Sequence, residues 1–127
     1  MTIAAPLILV IEDETAIRDN LRKFLMLEGY LVVTAVNGEI GLEMMGVHQP
    51  DLVLCDVMMP LMNGFEVVER MRRNVAFVHT PVIFLTASAD RESMTHGLEL
   101  GALDYVTKPF SLPELAGLIQ QRLKPQA

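Results

Sequence analysis

Glu12, Asp13, Asp56, Thr86 and Lys108 are the side chains in this sequence best equipped for chemistry, and each sits at the end of a short apolar run. Leu7 to Ile11 runs into Glu12-Asp13, and Leu52 to Cys55 into Asp56. Val82 to Leu85 ends at Thr86, and Tyr105-Val106 leads to Thr107-Lys108-Pro109. If these runs are strands of one parallel sheet, the three acids, the hydroxyl and the ammonium gather beyond the strands' carboxyl ends, where open α/β sheets bind ligands. Carboxylates that close repel one another, and a divalent cation removes the repulsion. Mg²⁺ (or Mn²⁺) suits the set, because it prefers hard oxygens and keeps positions open for water and phosphate oxygens. Zinc does not: His48, His79 and His96 are scattered, and Cys55 lies inside an apolar run. A carboxylate beside such a cation can attack a phosphoryl group and form an aspartyl phosphate. The cation and Lys108 would neutralise the transferring oxygens, and the Thr86 hydroxyl could donate to one of them.

Positioning these groups requires a particular order of elements. The apolar runs, with a further one from Tyr30 to Ala35, are short and rich in Val, Ile and Leu, as strands covered on both faces are. Between them the spacing is helical. Ile17, Leu21, Phe24 and Leu25 form one stripe, stopped by Gly29; Ile40, Met44 and Val47 form a second, ended before Pro50; Phe65, Val68 and Met71 form a third. A fourth helix, from about Arg91 to Leu100, has a thin stripe of Met94 and Leu98 and ends at Gly101. Leu115, Leu118, Ile119 and Leu123 mark the fifth, opened by Ser111 as N-cap with Pro113 in its first turn. Five β-α units in a row predict a parallel sheet with helices on both faces.

Composition bounds the function. At 127 residues the chain fits one domain, residues 1–127 with a core of about 7–123, and leaves no room for an output domain. It is 51% hydrophobic, enough to build a core, and its net charge of −6 argues against direct nucleic-acid binding. The single Cys55 cannot pair within the chain, no basic start precedes the first apolar run, and no run is long enough to span a bilayer. The expectation is a cytoplasmic protein without membrane association.

The residues resemble those of the response-regulator receiver domain, over about Leu7 to Leu123. That family has an acidic pair after strand one (Glu12-Asp13), a phosphoacceptor after strand three (Asp56), a Thr or Ser ending strand four (Thr86-Ala87), and a Lys-Pro after strand five (Lys108-Pro109-Phe110). The stretch from Asp51 through Asp56 and Pro60 to Gly64 looks like its most recognisable signature, and Gly101 to Tyr105 resembles the approach to its fifth strand. The resemblance implies a flavodoxin-like doubly wound sheet of five strands, ordered 2-1-3-4-5, with five helices. It implies Mg²⁺ bound by Asp13, Asp56 and the main-chain carbonyl of Met58, with Glu12 acting mainly through water. It also implies a cis peptide before Pro109 and a phosphohistidine donor, either a sensor histidine kinase or a phosphotransfer protein. Thr86 and Tyr105 would carry the switch to the face made by helix four, strand five and helix five, through which a homodimer is also plausible. Met58 and Ser88 occupy the positions that tune hydrolysis of the acyl phosphate. Neither is charged, so slow autodephosphorylation is expected.

Plainer readings stand beside these. Alone, Asp56 could be a turn residue, Lys108 a solvated lysine, Thr86 a strand end and Tyr105 an ordinary half-buried tyrosine. Met44, Met45 and Met71 read as packing, and Met58, Met59 and Met62 as exposed flanks of the site loop. Cys55 reads as an inert buried thiol, and the histidines as surface residues. A Mg²⁺-dependent phosphatase with an aspartyl nucleophile would want a second acid where Met58 stands, so the chain is not expected to be a turnover enzyme. A flavodoxin-type cofactor binder would need a phosphate cradle after strand one, where Glu12-Asp13-Glu14 would repel phosphate. A phosphorylation-independent interaction module is the remaining alternative.

Overall fold

The computed structural model describes residues 5–87 and 90–123. In chain order it forms β1 (Leu7–Ile11), α1 (Thr15–Leu27), β2 (Leu31–Ala35), α2 (Gly38–His48), β3 (Leu52–Asp56), α3 (Gly64–Arg72), β4 (Val82–Thr86), α4 (Arg91–Glu99), β5 (Asp104–Thr107) and α5 (Leu112–Leu123). All strand pairs are parallel and the order is β2-β1-β3-β4-β5, the doubly wound arrangement expected. Sequence reading misjudged a few ends. β2 begins at Leu31 rather than Tyr30, β3 includes Asp56, and β5 extends from Asp104 to Thr107 rather than covering only its apolar dipeptide. In each case ladder pairing sets the boundary: Asp56 aligns with Leu85, and Asp104 with Ile83.

β3 and β4 are buried along their whole length, which is why their sequences run apolar without alternation. One side of the sheet packs Leu9, Ile11, Val53, Cys55, Val82 and Phe84 against residues of α2 and α3, among them Met45, Val67 and Met71. The other packs Ile8, Val10, Leu54, Ile83 and Leu85 against Leu21 and Leu25 of α1 and Leu115 and Ile119 of α5. Local signals start and stop the helices. The side chains of Asn37, Asn63 and Asp90 each accept from a backbone N–H three residues on, and Asn63 with Glu66 makes a full capping box. Ser111 caps α5 as expected, its Oγ accepting from Glu114 N at 3.3 Å. α1 and α4 are followed by Gly29 and Gly101, whose φ of 96° and 91° lie where glycine is favoured.

The stripe assigned to α2 needs correcting. Val47 is 73% exposed and Ile40 and Met44 are only half-buried; the buried face is Gly38, Gly41 and Met45. A Cβ on Gly41 would come within 2.5 Å of Ile11 Cδ1, so α2 seats on its glycines. The same holds for α4, whose one buried residue is Gly97, while Leu98 is 49% exposed. No helix among the described residues is long and apolar enough to cross a membrane.

Candidate functional site

The carboxyl edge of the sheet brings the predicted residues together. Pairing with β2 is prolonged by one bond, Glu12 N donating to Ala35 O at 3.0 Å, which carries the backbone past β1 and leaves the Glu12 side chain 1% exposed. Asp56, the last residue of β3, is 3% exposed overall. Lys108 N donates to Thr86 O at 2.7 Å, so the chain beyond β5 stays tied to the end of β4. From there Lys108 Nζ reaches Glu12 Oε1 at 2.7 Å and Asp56 Oδ2 at 3.2 Å. The peptide between Lys108 and Pro109 is cis, as expected.

The remaining oxygens are also held. Met58 N donates to Asp56 Oδ1 at 3.1 Å, which fixes the peptide after the strand beside the carboxylate. Glu14 N donates to Glu12 Oε2 at 3.2 Å. Gly64 is required by close approach, since a Cβ there would lie 2.5 Å from the Asp56 carbonyl oxygen. Arg18, on α1 but outside its stripe of Ile17, Leu21, Phe24 and Leu25, donates to the carbonyls of Glu12 at 3.0 Å and Asp13 at 3.5 Å. A helical pattern shows only that Arg18 points away from the apolar stripe; it does not show that the loop folds back beneath it.

Electrostatics follow from this geometry. Burial, the largest effect, pushes the Glu12 carboxyl up to about 7; the hydrogen bond from Lys108 opposes the rise and neighbouring Asp56 adds to it. Burial pulls Lys108 down, but its hydrogen bond to Glu12 and the charges of Asp56 and Glu12 outweigh that, so the ammonium titrates above its ordinary value. Glu12, Asp13 and Asp56 each offer a carboxylate oxygen, and these atoms lie within 4.8 Å of one another. One ammonium against three acids leaves an excess of negative charge, and the available donors are hard oxygens. Both features fit a small divalent cation of the Mg²⁺ type. Cys55 is fully buried, and burial raises its thiol far above the range where it reacts, as foreseen.

Thr86 ends β4 fully buried, and Tyr105 in β5 is half-buried, its ring edge-on to Phe84 with centroids 6.2 Å apart. Met58 is 63% exposed beside the site, but Met59 and Met62, expected to be exposed with it, are each only 8% exposed and pack into the α2–α3 side of the core. The loop turns them inward, Met62 lying against Gly38 at the start of α2, and spacing outside a regular element could not reveal that. His48, His79 and His96 are exposed, although His96 also packs its ring against Phe65 at 4.7 Å. Ser88 lies outside the described residues.

Comparison with known proteins agrees with the geometry. A family model described as the response regulator receiver domain matches residues 8–120. The chain is 42% identical over 117 residues to a probable transcriptional regulator, ycf27, of Guillardia theta, covering 92% of this chain and 45% of that protein. It is 46% identical over 104 residues to the transcriptional regulatory protein AfsQ1 of Streptomyces coelicolor, covering 82% and 45% respectively. The chain therefore spans about half the length of the curated relatives it matches. Among solved structures, the chemotaxis protein CheY4 of Vibrio cholerae superposes with a TM-score of 0.89 at 31% identity, covering 93% of this chain and 98% of that one. The signal receiver domain of a histidine kinase from Syntrophus aciditrophicus gives 0.86 at 31% identity, covering 94% and 90%.

Proposed function

The chain belongs to the response regulator receiver domain family, and from that premise we propose that it accepts a phosphoryl group on Asp56 from a phosphohistidine donor and so controls a partner or output module. One observation carries the reading: Lys108 Nζ bridges Glu12 and Asp56, with Asp13 completing an oxygen-rich cluster around the acceptor. In the transfer, an Asp56 carboxylate oxygen forms a bond to phosphorus while the donor's phosphorus–nitrogen bond breaks, and the imidazole leaves with a proton. Asp13, Asp56 and the Met58 carbonyl would hold Mg²⁺, which when bound supplies positive charge against the transferring oxygens. Lys108 pairs with the same oxygens, and Met58 N–H keeps the Asp56 carboxylate oriented. Glu12, held by Lys108, serves the cation at one remove.

The phosphoryl group adds roughly −1.5 to −2 charges and three acceptor oxygens. Thr86 would turn toward them, and the Tyr105 ring would follow into the space it leaves, changing the face of α4, β5 and α5. That face is the candidate contact for a partner, an output module or a second copy. The domain would work in the cytoplasm with a sensor histidine kinase or a phosphotransfer protein, binding neither nucleic acid nor membrane itself. The similar transcriptional regulators, about twice as long, make control of transcription the natural output. It is not a turnover enzyme, because Met58 stands where an aspartyl-nucleophile phosphatase needs a general acid; with Met58 and Ser88 both uncharged, the acyl phosphate should decay slowly.

Intact-mass spectrometry after incubation with acetyl phosphate tests this. A gain of one phosphoryl mass that requires Mg²⁺, is lost with EDTA and is lost in Asp56→Asn is expected. No gain in folded protein with Mg²⁺ bound, repeated with a phosphohistidine donor, would favour the phosphorylation-independent module.

A further inference from the structure

Arg72, the last residue of α3, carries a charge that the proposed chemistry does not use. Its guanidinium donates to five backbone carbonyls. Nη1 bonds Phe77 O at 3.2 Å, Val78 O at 3.1 Å and Thr80 O at 3.0 Å, all in the loop between α3 and β4. Nε bonds Leu100 O at 3.3 Å and Nη2 bonds Gly101 O at 3.1 Å, both at the C-terminal end of α4. No ion pair among the described residues includes it. Partial burial alone pulls it below its ordinary value. A cation held only by carbonyls, two of them at the negative end of a helix, acts as a fastener there.

The rest of α4 sharpens the point. Its one buried residue is Gly97, where a Cβ would meet the Phe84 ring at 3.0 Å and Tyr105 Cδ2 at 3.2 Å. Just beyond it, Ala102 N bonds Gly97 O at 3.2 Å and Leu103 N bonds Val82 O at 2.9 Å. None of residues 91–96 is buried. Among the described residues, the buried contact of the helix and its bonds to Arg72 therefore lie at its C-terminal end, with the exposed His96 ring resting on Phe65 just before them. Because α4 runs back across the sheet from the carboxyl edge, that is the end away from Asp56.

We infer that Arg72 is the fixed end of a lever: it pins the C-terminus of α4 to the α3–β4 loop, so that a response to phosphorylation moves only the N-terminal half of the helix. The movement rests on the reading of Asp56 as phosphoacceptor; the clamp does not. Arg72 is thus a positioning residue, remote from the chemistry and setting which part of α4 can answer to it.

Amide hydrogen exchange with and without acetyl phosphate and Mg²⁺, alongside intact mass, tests both parts in wild type, Arg72→Gln and Arg72→Lys. Without donor, the amides of Leu100 to Leu103 are expected to exchange about tenfold faster or more in Arg72→Gln. Arg72→Lys keeps the charge but has one nitrogen to span two loops, so it should lie between, and it decides the matter if Arg72→Gln does not fold. With donor, uptake should be equal in all three; the change in exchange should be confined to residues 90–96 in wild type and spread into 97–103 in the variants. Unchanged exchange at Leu100 to Leu103 in the folded variants would overturn the clamp. A wild-type response as large in 97–103 as in 90–96 would overturn the lever. Absence of phosphoryl uptake in wild type would instead sink the phosphoacceptor reading, with the donor-free comparison still deciding the clamp.

Discussion

Leu61 stands two residues before the capping Asn63 with φ of 71° and 95% of its surface exposed. A left-handed conformation costs an L-residue with a Cβ roughly 1–2 kcal/mol, less for asparagine and nothing for glycine. A fully buried leucine contributes about 1.5–3 kcal/mol, so a side chain this exposed gives up only about 0.1 kcal/mol when removed. Leu61→Asn should therefore stabilise the fold by about 0.5–1 kcal/mol. Leu61→Gly should gain somewhat less, because a freer unfolded chain takes back about 0.4–1 kcal/mol. In a domain of this size these changes raise the thermal midpoint by roughly 2–5 °C. Leu61→Ala is the control, since it removes the same exposed side chain, keeps the Cβ and should change little. Urea melts monitored by circular dichroism, with acetyl phosphate uptake measured in parallel, would read all three. If alanine stabilises as much as asparagine, or asparagine destabilises, backbone strain is not what Leu61 carries and the argument fails.

Further outcomes follow from the packing of α2 and from the acidic cluster. Gly41→Ala should destabilise by about 1–3 kcal/mol in a urea melt, because its Cβ would meet Ile11 Cδ1 at 2.5 Å. Gly46→Ala, in the same helix with nothing within 4 Å of a Cβ, should stabilise by about 0.5–1 kcal/mol. At the acidic cluster, Mg²⁺ should raise the thermal midpoint of the wild type, and EDTA should reverse the rise. Asp13→Asn should weaken that response at least tenfold in Mg²⁺ concentration, by removing a charged oxygen ligand; an unchanged titration would take Asp13 out of the site.

The legible parts of this fold share a physical cause. Strands covered on both faces must be apolar throughout, so β1, β3 and β4 stood out, and the polar residue ending each run pointed to the site before any geometry was known. Amphipathic α1 and α3 were equally plain. α2 and α4 were misread because a hydrophobic stripe shows how a helix packs through side chains, whereas these two pack through the lack of one, at Gly41 and Gly97. Spacing was equally silent on the loops. Nothing local says that Met59 and Met62 turn inward, that Arg18 folds under the acidic pair, or that Arg72 gathers carbonyls from two loops. Those contacts exist only once distant segments meet. The ends of β5 failed for the same reason, since its flanking residues are polar and only the ladder to β4 makes them strand.

Alternation along the strands puts the acidic cluster and the Tyr105 ring on opposite faces of the sheet. Glu12, Asp56 and Lys108 share the parity of Val10, Leu54 and Val106, which face α1 and α5. Thr86 and Tyr105 share that of Phe84, which faces α3 and packs beside Gly97 of α4. A carboxylate on one face cannot push directly on a ring beneath the other. The sheet rim, where side chains from both faces end, is where the two can meet, and Asp56 and Thr86 each close their strand there. Under the proposed function a phosphoryl group at that rim would be the object that both faces grasp, Lys108 from one and Thr86 from the other. The Phe65, Phe84 and Tyr105 rings, with His96 edge-on to Phe65, then link α3, β4, β5 and α4 by direct contact. A pull on Thr86 would thus reach α4 through packed rings at Gly97, hard against the end that Arg72 holds still.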